Sequence, residues 1–194
     1  MSKLLLLSFL FSLIAFSQEF RAGIITGINT SQVSGDNLAG FNKLGIRSGV
    51  FLTTEIDNLI AQIELQYINK GSRELIDKND FDEGYKFQLN YAEMPMSIKI
   101  KTYSNVFIEL GLSIGYLLSS SEKINGYEEV GLEVNKIEYS THVGIDYFIN
   151  KKITINTRIA NSISPIRQHN SGQTYIWNKG QYNTSLSFII YYYL

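Results

Sequence analysis

From residue 19 onward, hydrophobic and polar side chains alternate with a period of two, and no segment carries a 3.6-residue apolar stripe. The alternation predicts eight β-strands. The first, about 19–30, sets Phe20, Ala22, Ile24, Thr26 and Ile28 against Arg21, Gly23, Gly27 and Asn29. The second, about 44–56, sets Leu44, Ile46, Val50, Leu52 and Ile56 against Gly45, Arg47, Gly49 and Glu55. The third, about 59–70, sets Leu59, Ala61, Ile63, Leu65 and Tyr67 against Gln62, Glu64, Gln66 and Lys70.

The fourth strand, about 85–102, changes phase: Phe87, Leu89 and Tyr91 share a parity, and Met94, Met96, Ile98 and Ile100 take the other. One extra residue near Ala92 and Glu93, a β-bulge, reconciles the halves, and Pro95 suits such a break in the ladder. The remaining strands, about 106–120, 134–149, 152–163 and 181–194, repeat the pattern. Leu110, Leu112 and Ile114 oppose Glu109 and Gly111; Val143 and Ile145 oppose His142 and Gly144; Ile155 and Ile159 oppose Asn156 and Arg158; Phe188 and Ile190 oppose Ser185 and Ser187.

The connections alternate in length. Asp57-Asn58, Tyr103 to Asn105 and Asn150-Lys151 are short turns, whereas 31–43, 71–84, 121–133 and 164–180 are long and rich in Asn, Gly, Ser and charge. Short turns on one rim and long loops on the other predict an all-β fold, an eight-stranded antiparallel up-and-down transmembrane β-barrel. A soluble lipocalin-like carrier has the same alternation with its faces exchanged. Two features favour the membrane form. The polar face combines glycines with charges of both signs: Arg21, Arg47, Glu55, Glu64, Glu93, Glu109, Glu138, His142, Asp146 and Arg158. An eight-stranded barrel has room inside only for side chains, so these groups predict a filled lumen with a polar network. The apolar face also ends in aromatics. Tyr67, Phe87, Tyr116, Tyr139 and Tyr182 fall toward the long-loop rim, and Phe20, Tyr147 and Tyr192 toward the short-turn rim, as two interfacial girdles require.

Composition adds to this. Tyr (13) and Phe (11) are abundant while Pro is 2, which suits strands, and mean hydropathy is close to zero, as alternating strands demand. A net charge of −1 offers no basic field for nucleic acid. Lys3 followed by an apolar run to Phe16 is too short to span a bilayer and reads as a signal peptide over 1–17, leaving 18–194 as one barrel domain.

Catalytic signals are thin. There is no cysteine, so neither a thiolate nucleophile nor a cysteine metal site exists. His142 lies between Glu138 and Asp146 on the lumen face, where pairing with core charges is the plainer role; His169 falls in a long loop and is expected to be solvated. Glu93 and Arg158 look like an acid with a cationic partner, and structural pairing accounts for them. Loop acids Asp77, Asp80, Asp82 and Glu83 are expected to be solvated. No catalytic residue, cofactor or metal is expected.

FRAGIITGIN, IELQYINKGS, ELGLSIGYLLS, TINTRIANSIS and above all LNYAEMPMSIKI, with Tyr91, Glu93 and Pro95, resemble the PorT-like outer-membrane β-barrel family. The resemblance implies a barrel in the outer membrane and, through the family's named member, an alternative role in protein secretion and maturation. The expected role is structural or surface-interacting. Expected partners are outer-membrane lipid, barrel-assembly machinery during biogenesis, and a surface or envelope protein met through the long loops. A membrane-embedded hydrolase and a secreted soluble carrier remain alternatives.

Overall fold

A computed structural model describes residues 19–36, 38, 40–74, 84–129, 131–169 and 180–194. Within them lie nine strands: β1 (Phe20–Ser34), β2 (Lys43–Ile56), β3 (Leu59–Arg73), β4 (Tyr85–Tyr103), β5 (Val106–Ile124), β6 (Tyr127–Glu128), β7 (Ile137–Phe148), β8 (Ile153–Ser162) and β9 (Tyr182–Tyr193). Every pairing is antiparallel. The order β4-β3-β2-β1-β9-β8-β7-β5 is closed by β4–β5, giving an eight-stranded barrel; β6 only extends a hairpin on β5. The expected signal peptide and the acids Asp77, Asp80, Asp82 and Glu83 lie outside the described residues.

The faces point as the alternation predicts. Leu44, Ile46, Leu65 and Ile145 are 58–65% exposed, whereas Glu109 and Asp146 are 0% exposed. An outer wall of aliphatic side chains around an ionic interior is stable where the surroundings are hydrocarbon, and the reverse of a water-soluble barrel.

Two expectations are corrected. β4 keeps one phase throughout: Phe87, Leu89 and Tyr91 point inward with Glu93, Ser97 and Lys99. The extra residue sits on β5, where Asn90 pairs with Ser119 but Tyr91 pairs with Leu117, so Leu118 is the bulge. The apolar parity changes because the top of the lumen is itself apolar. Pro95 does interrupt a ladder: β3 and β4 pair at Ile63↔Met96 and again at Gln66↔Glu93, with the same register and a gap between. Proline has no N–H to bridge it.

The interior is stacked in three layers. At the long-loop end, Val33, Ile68, Phe87, Leu89, Tyr91, Val134 and Ile166 form an apolar cap. Val134 and Ile166 come from the connections rather than from barrel strands, so the sixth barrel strand begins at Ile137 instead of 134. At the short-turn end, Ile25, Phe51, Ile189, Tyr191 and Tyr193 form an aromatic floor, with Phe51 edge-on to Tyr191 and Tyr193 at 5.1 and 4.9 Å. The charged groups lie between.

Candidate functional site: the lumen and its two rims

Arg158 on β8 is the centre of the ionic layer. Its guanidinium donates to Glu64 at 2.7 and 3.2 Å and to Glu109 at 2.6 and 3.1 Å. It also donates to the Tyr191 hydroxyl at 2.7 Å, which in turn donates to Glu64 at 2.7 Å. Gln62 and Asn156 donate to Glu64 and Glu109, each at 2.7 Å. Two carboxylates thus share one planar cation whose fixed donors reach both, an arrangement a lysine could not copy.

A second cluster lies toward the cap. Lys70 bridges Glu93 at 2.9 Å and Glu138 at 2.7 Å; Ser113 and Gln66 donate to Glu93, and Arg47 donates to Gln66 at 3.1 Å. Lys99 and Asp146 form a third pair at 2.8 Å, with the ammonium 4.5 Å from the Tyr191 ring centroid. Glu93 and Arg158 are therefore in different clusters and are not each other's partners.

Glycine makes these contacts geometrically feasible. Glu109 and Arg158 sit on strands separated by β7, opposite Gly144 on the ladder; a Cβ at Gly144 would lie 2.6 Å from a Glu109 carboxylate oxygen. Gly111 likewise stands between Ser97 and His142, and a Cβ there would lie 2.4 Å from His142 Nε2. The missing side chain on the intervening strand lets next-nearest strands touch.

Eight of the ten expected network residues are enclosed: Arg47, Glu64, Glu93, Glu109, Glu138, His142, Asp146 and Arg158. Arg21 and Glu55 are not. Both line a vestibule at the short-turn mouth with Phe107, Phe148 and Tyr193; Arg21 stacks 4.2 Å over the Tyr193 ring and donates to the Lys151 carbonyl, and Glu55 is exposed. They fall at the very end of their strands, below the aromatic floor.

His142 Nε2 lies 2.9 Å from Ser97 Oγ and 3.9 Å from Glu109. Both neighbours approach the same ring nitrogen, whereas a nucleophilic serine and an orienting acid must use opposite nitrogens. His169 is half-buried against Gly35 rather than fully solvated.

On the outer wall, Phe20, Tyr116, Tyr139, Tyr147 and Tyr192 are exposed at the expected levels, Tyr67 is 36% exposed, and Tyr182 is half-buried. Phe87 leaves the expected girdle: it is 1% exposed, in the cap, with Arg167 stacked 4.3 Å above it. Arg167, from the connection after β8, donates to Gln181 at 2.6 Å and to Glu122 at 2.9 Å, and Tyr85 also donates to Glu122 at 2.6 Å. Burial opposes the Arg167 charge, but these hydrogen bonds and the Glu122 carboxylate outweigh it and raise its pKa. Lys70, Lys99, Tyr191 and the Arg167 clamp were not among the expected site residues. Lys99 has the inward parity opposite Met96, Ile98 and Ile100, and the structure adds it to the network.

Among the described residues, no three His, Cys, Asp or Glu side chains gather as a metal site would require, and no helix is long and apolar enough to cross a membrane.

Comparison with known proteins follows from this geometry. Residues 16–168 match the family model described as outer membrane protein beta-barrel domain. No curated protein sequence matches. Among solved structures, neisserial surface protein A (NspA) is similar with a TM-score of 0.59 and 13% identity, covering 88% of this chain and 96% of that one. Ail, the attachment invasion locus protein of Yersinia pestis, is similar with a TM-score of 0.53 and 12% identity, covering 91% and 99%. At such identities the likeness concerns the fold.

Proposed function

Since the chain belongs to the outer membrane protein beta-barrel domain family and is an integral barrel of the outer membrane, we propose that it acts there as a structural and surface-interacting protein, with neither an open pore nor catalysis. The observation that carries this reading is the stacking of cap, ionic layer and floor along one lumen. A lumen filled at these three levels argues against a continuous aqueous path for ions, and Ser97 and His142 are both buried. What the barrel offers its surroundings is its outer wall, the Arg167-clamped connections and the long loops.

In this reading residues 1–17 direct export in a Gram-negative envelope, barrel-assembly machinery inserts the chain, outer-membrane lipid surrounds it, and a surface or envelope protein meets the loops. The alternative role in protein secretion and maturation draws on the PorT-like resemblance. Its most specific motif, LNYAEMP, places Tyr91, Glu93 and Pro95 inward, where packing and ion pairing account for them. A non-enzymatic structural role is therefore the simpler assignment.

The test is conductance of the refolded barrel in planar bilayers, alongside heat-modifiable gel migration to prove folding. The expected result is a shifted, folded band with no stable channels. Large, long-lived openings from folded protein refute a filled lumen, and turnover of lipid or peptide substrates that is lost in His142→Ala refutes the non-enzymatic part.

A further inference from the structure

The outer face of β3, β4 and β5 changes chemistry in steps above the hydrocarbon band. Ladder pairing aligns Leu112, Met96 and Ile63 on one rung, and Tyr116, Ala92 and Tyr67 on a higher one. The next rung up is Asn69, Asn90 and Ser119. There Tyr67 and Asn69 both donate to Asn90, at 2.7 and 2.6 Å, and Asn90 donates to Ser119 at 2.8 Å. Two rungs higher, Arg73 stands opposite Lys86, and Lys86 opposite Lys123.

Three cations side by side across three strands repel one another, an arrangement that ordinarily destabilises a sheet. Lys43, buried at the start of β2, donates to Asn69 Oδ1 and to the Leu44 carbonyl and so stands behind the row rather than in it. Among the described residues no carboxylate forms an ion pair with Arg73, Lys86 or Lys123. Glu74 beside Arg73 instead accepts from the Tyr85 amide, and Glu128 lies opposite Lys123 on the short β6 ribbon. The inward neighbours of Arg73 and Lys86 along their strands, Ser72 and Phe87, pair with each other and are buried.

We propose that this face binds the anionic glycolipid of the outer leaflet, with the amide and hydroxyl rung at the level of its sugars and the Arg73–Lys86–Lys123 row receiving its phosphate groups. The height supports this occupant. Six residues separate Tyr67 from Arg73, about 20 Å along a strand and roughly 15 Å in height at the usual barrel tilt. That is above the tyrosine interface, where a saccharide headgroup layer stands and acyl chains do not. A free protein partner would have no reason to be matched rung by rung to the depth of a bilayer. The proposal deepens the surface-interacting reading by naming a partner class. It is separable from that reading, because conductance and turnover interrogate the lumen and glycolipid titration the outer wall.

The experiment uses the full barrel refolded in detergent micelles, titrated with purified phosphorylated lipopolysaccharide and with the same glycolipid after phosphate removal. The wild type is expected to prefer the phosphorylated form by more than about tenfold, and R73Q/K86Q/K123Q to lose that preference. K86Q alone, at the centre of the row, is expected to show a two- to fivefold loss, which keeps the test decisive if the triple variant does not fold. K101Q/K151Q/K152Q, at the opposite rim, is expected to behave as wild type. Equal affinity of the wild type for both glycolipids, or an unchanged preference in folded K86Q and R73Q/K86Q/K123Q, overturns the proposal.

Discussion

Replacing Arg158 by methionine isolates the contribution of a single cation to the barrel. The guanidinium is 2% exposed and is the shared partner of Glu64 and Glu109, so its loss leaves two carboxylates facing one another in a region closed to water. Removing one partner of a buried ion pair costs about 3–5 kcal/mol, because the other charge stays uncompensated. The four hydrogen bonds do not add to that figure independently, since Gln62, Asn156 and Tyr191 remain as donors to the same carboxylates. We therefore expect Arg158→Met to destabilise by about 3–5 kcal/mol, a large share of the 5–15 kcal/mol typical of a folded domain. Arg158→Lys keeps the charge but not the fork and should fall between it and wild type. The triple change R158M/E64Q/E109Q removes the charges together, and should recover most of the loss, because neutralising a whole buried cluster is often close to neutral. The assay is urea unfolding in phospholipid vesicles, followed by tyrosine fluorescence and by loss of the fast-migrating gel band. An Arg158→Met barrel within about 1 kcal/mol of wild type would show that the ionic layer is not what the distances imply.

Other outcomes follow from the same coordinates. Leu65→Lys places a charge on the outer wall at the middle of the aliphatic band, and should cost about 2–4 kcal/mol in the same unfolding assay. Gly111→Ala puts a Cβ 2.4 Å from both His142 Nε2 and the Met96 carbonyl oxygen, so the ring must leave Ser97 and the β4–β5 ladder must shift locally; the histidine proton resonances should move, and unchanged resonances contradict the close approach. At the clamp above the bilayer, burial pushes the Glu122 carboxyl up, but hydrogen bonds from Arg167 and Tyr85 and the Arg167 charge outweigh it and hold its pKa below the ordinary 4.5. A lowered carboxyl stabilises fully above its unfolded value and loses that contribution only as pH falls through the native one. Amide protection factors around 163–168, which remove the intrinsic pH dependence of exchange, should therefore hold down to about pH 4.5 and fall only below it, whereas Glu122→Gln should show the low protection already at pH 7.

Most of the barrel was legible in the alternation because a membrane barrel sorts most of its side chains between an apolar outer face and a polar inner one. The eight strands, the short turns and the inward set around Arg158 follow from parity alone. The failures lie where the lumen stops being polar. Phe87, Leu89 and Tyr91 are apolar and inward because they close the long-loop end, and parity reading took them for lipid-facing residues. It then required a bulge on β4 that the chain places at Leu118 on β5. The same blindness hid the floor: in Phe188 to Leu194, alternate aromatics point in both directions, so Tyr191 and Tyr193 carry no polar label to mark them as interior. Arg21 and Glu55 have the correct parity but lie below the floor, a depth that alternation does not encode. The Arg167 clamp depends on a loop returning to a strand far away in sequence, and no local pattern announces it.

The β1–β9 ladder, running from Gly23↔Tyr193 to Ser34↔Tyr182, joins the earliest strand to the last. Until the C-terminal residues arrive, β1 carries a full row of unsatisfied amides and carbonyls on one side, and so does whichever strand has most recently formed. Neither row can rest in lipid, where no water compensates an orphaned peptide group. A nascent chain thus has no stable partly inserted intermediate of its own. Closure is therefore nearly all-or-none, with the last strand sealing the edge that the first leaves open.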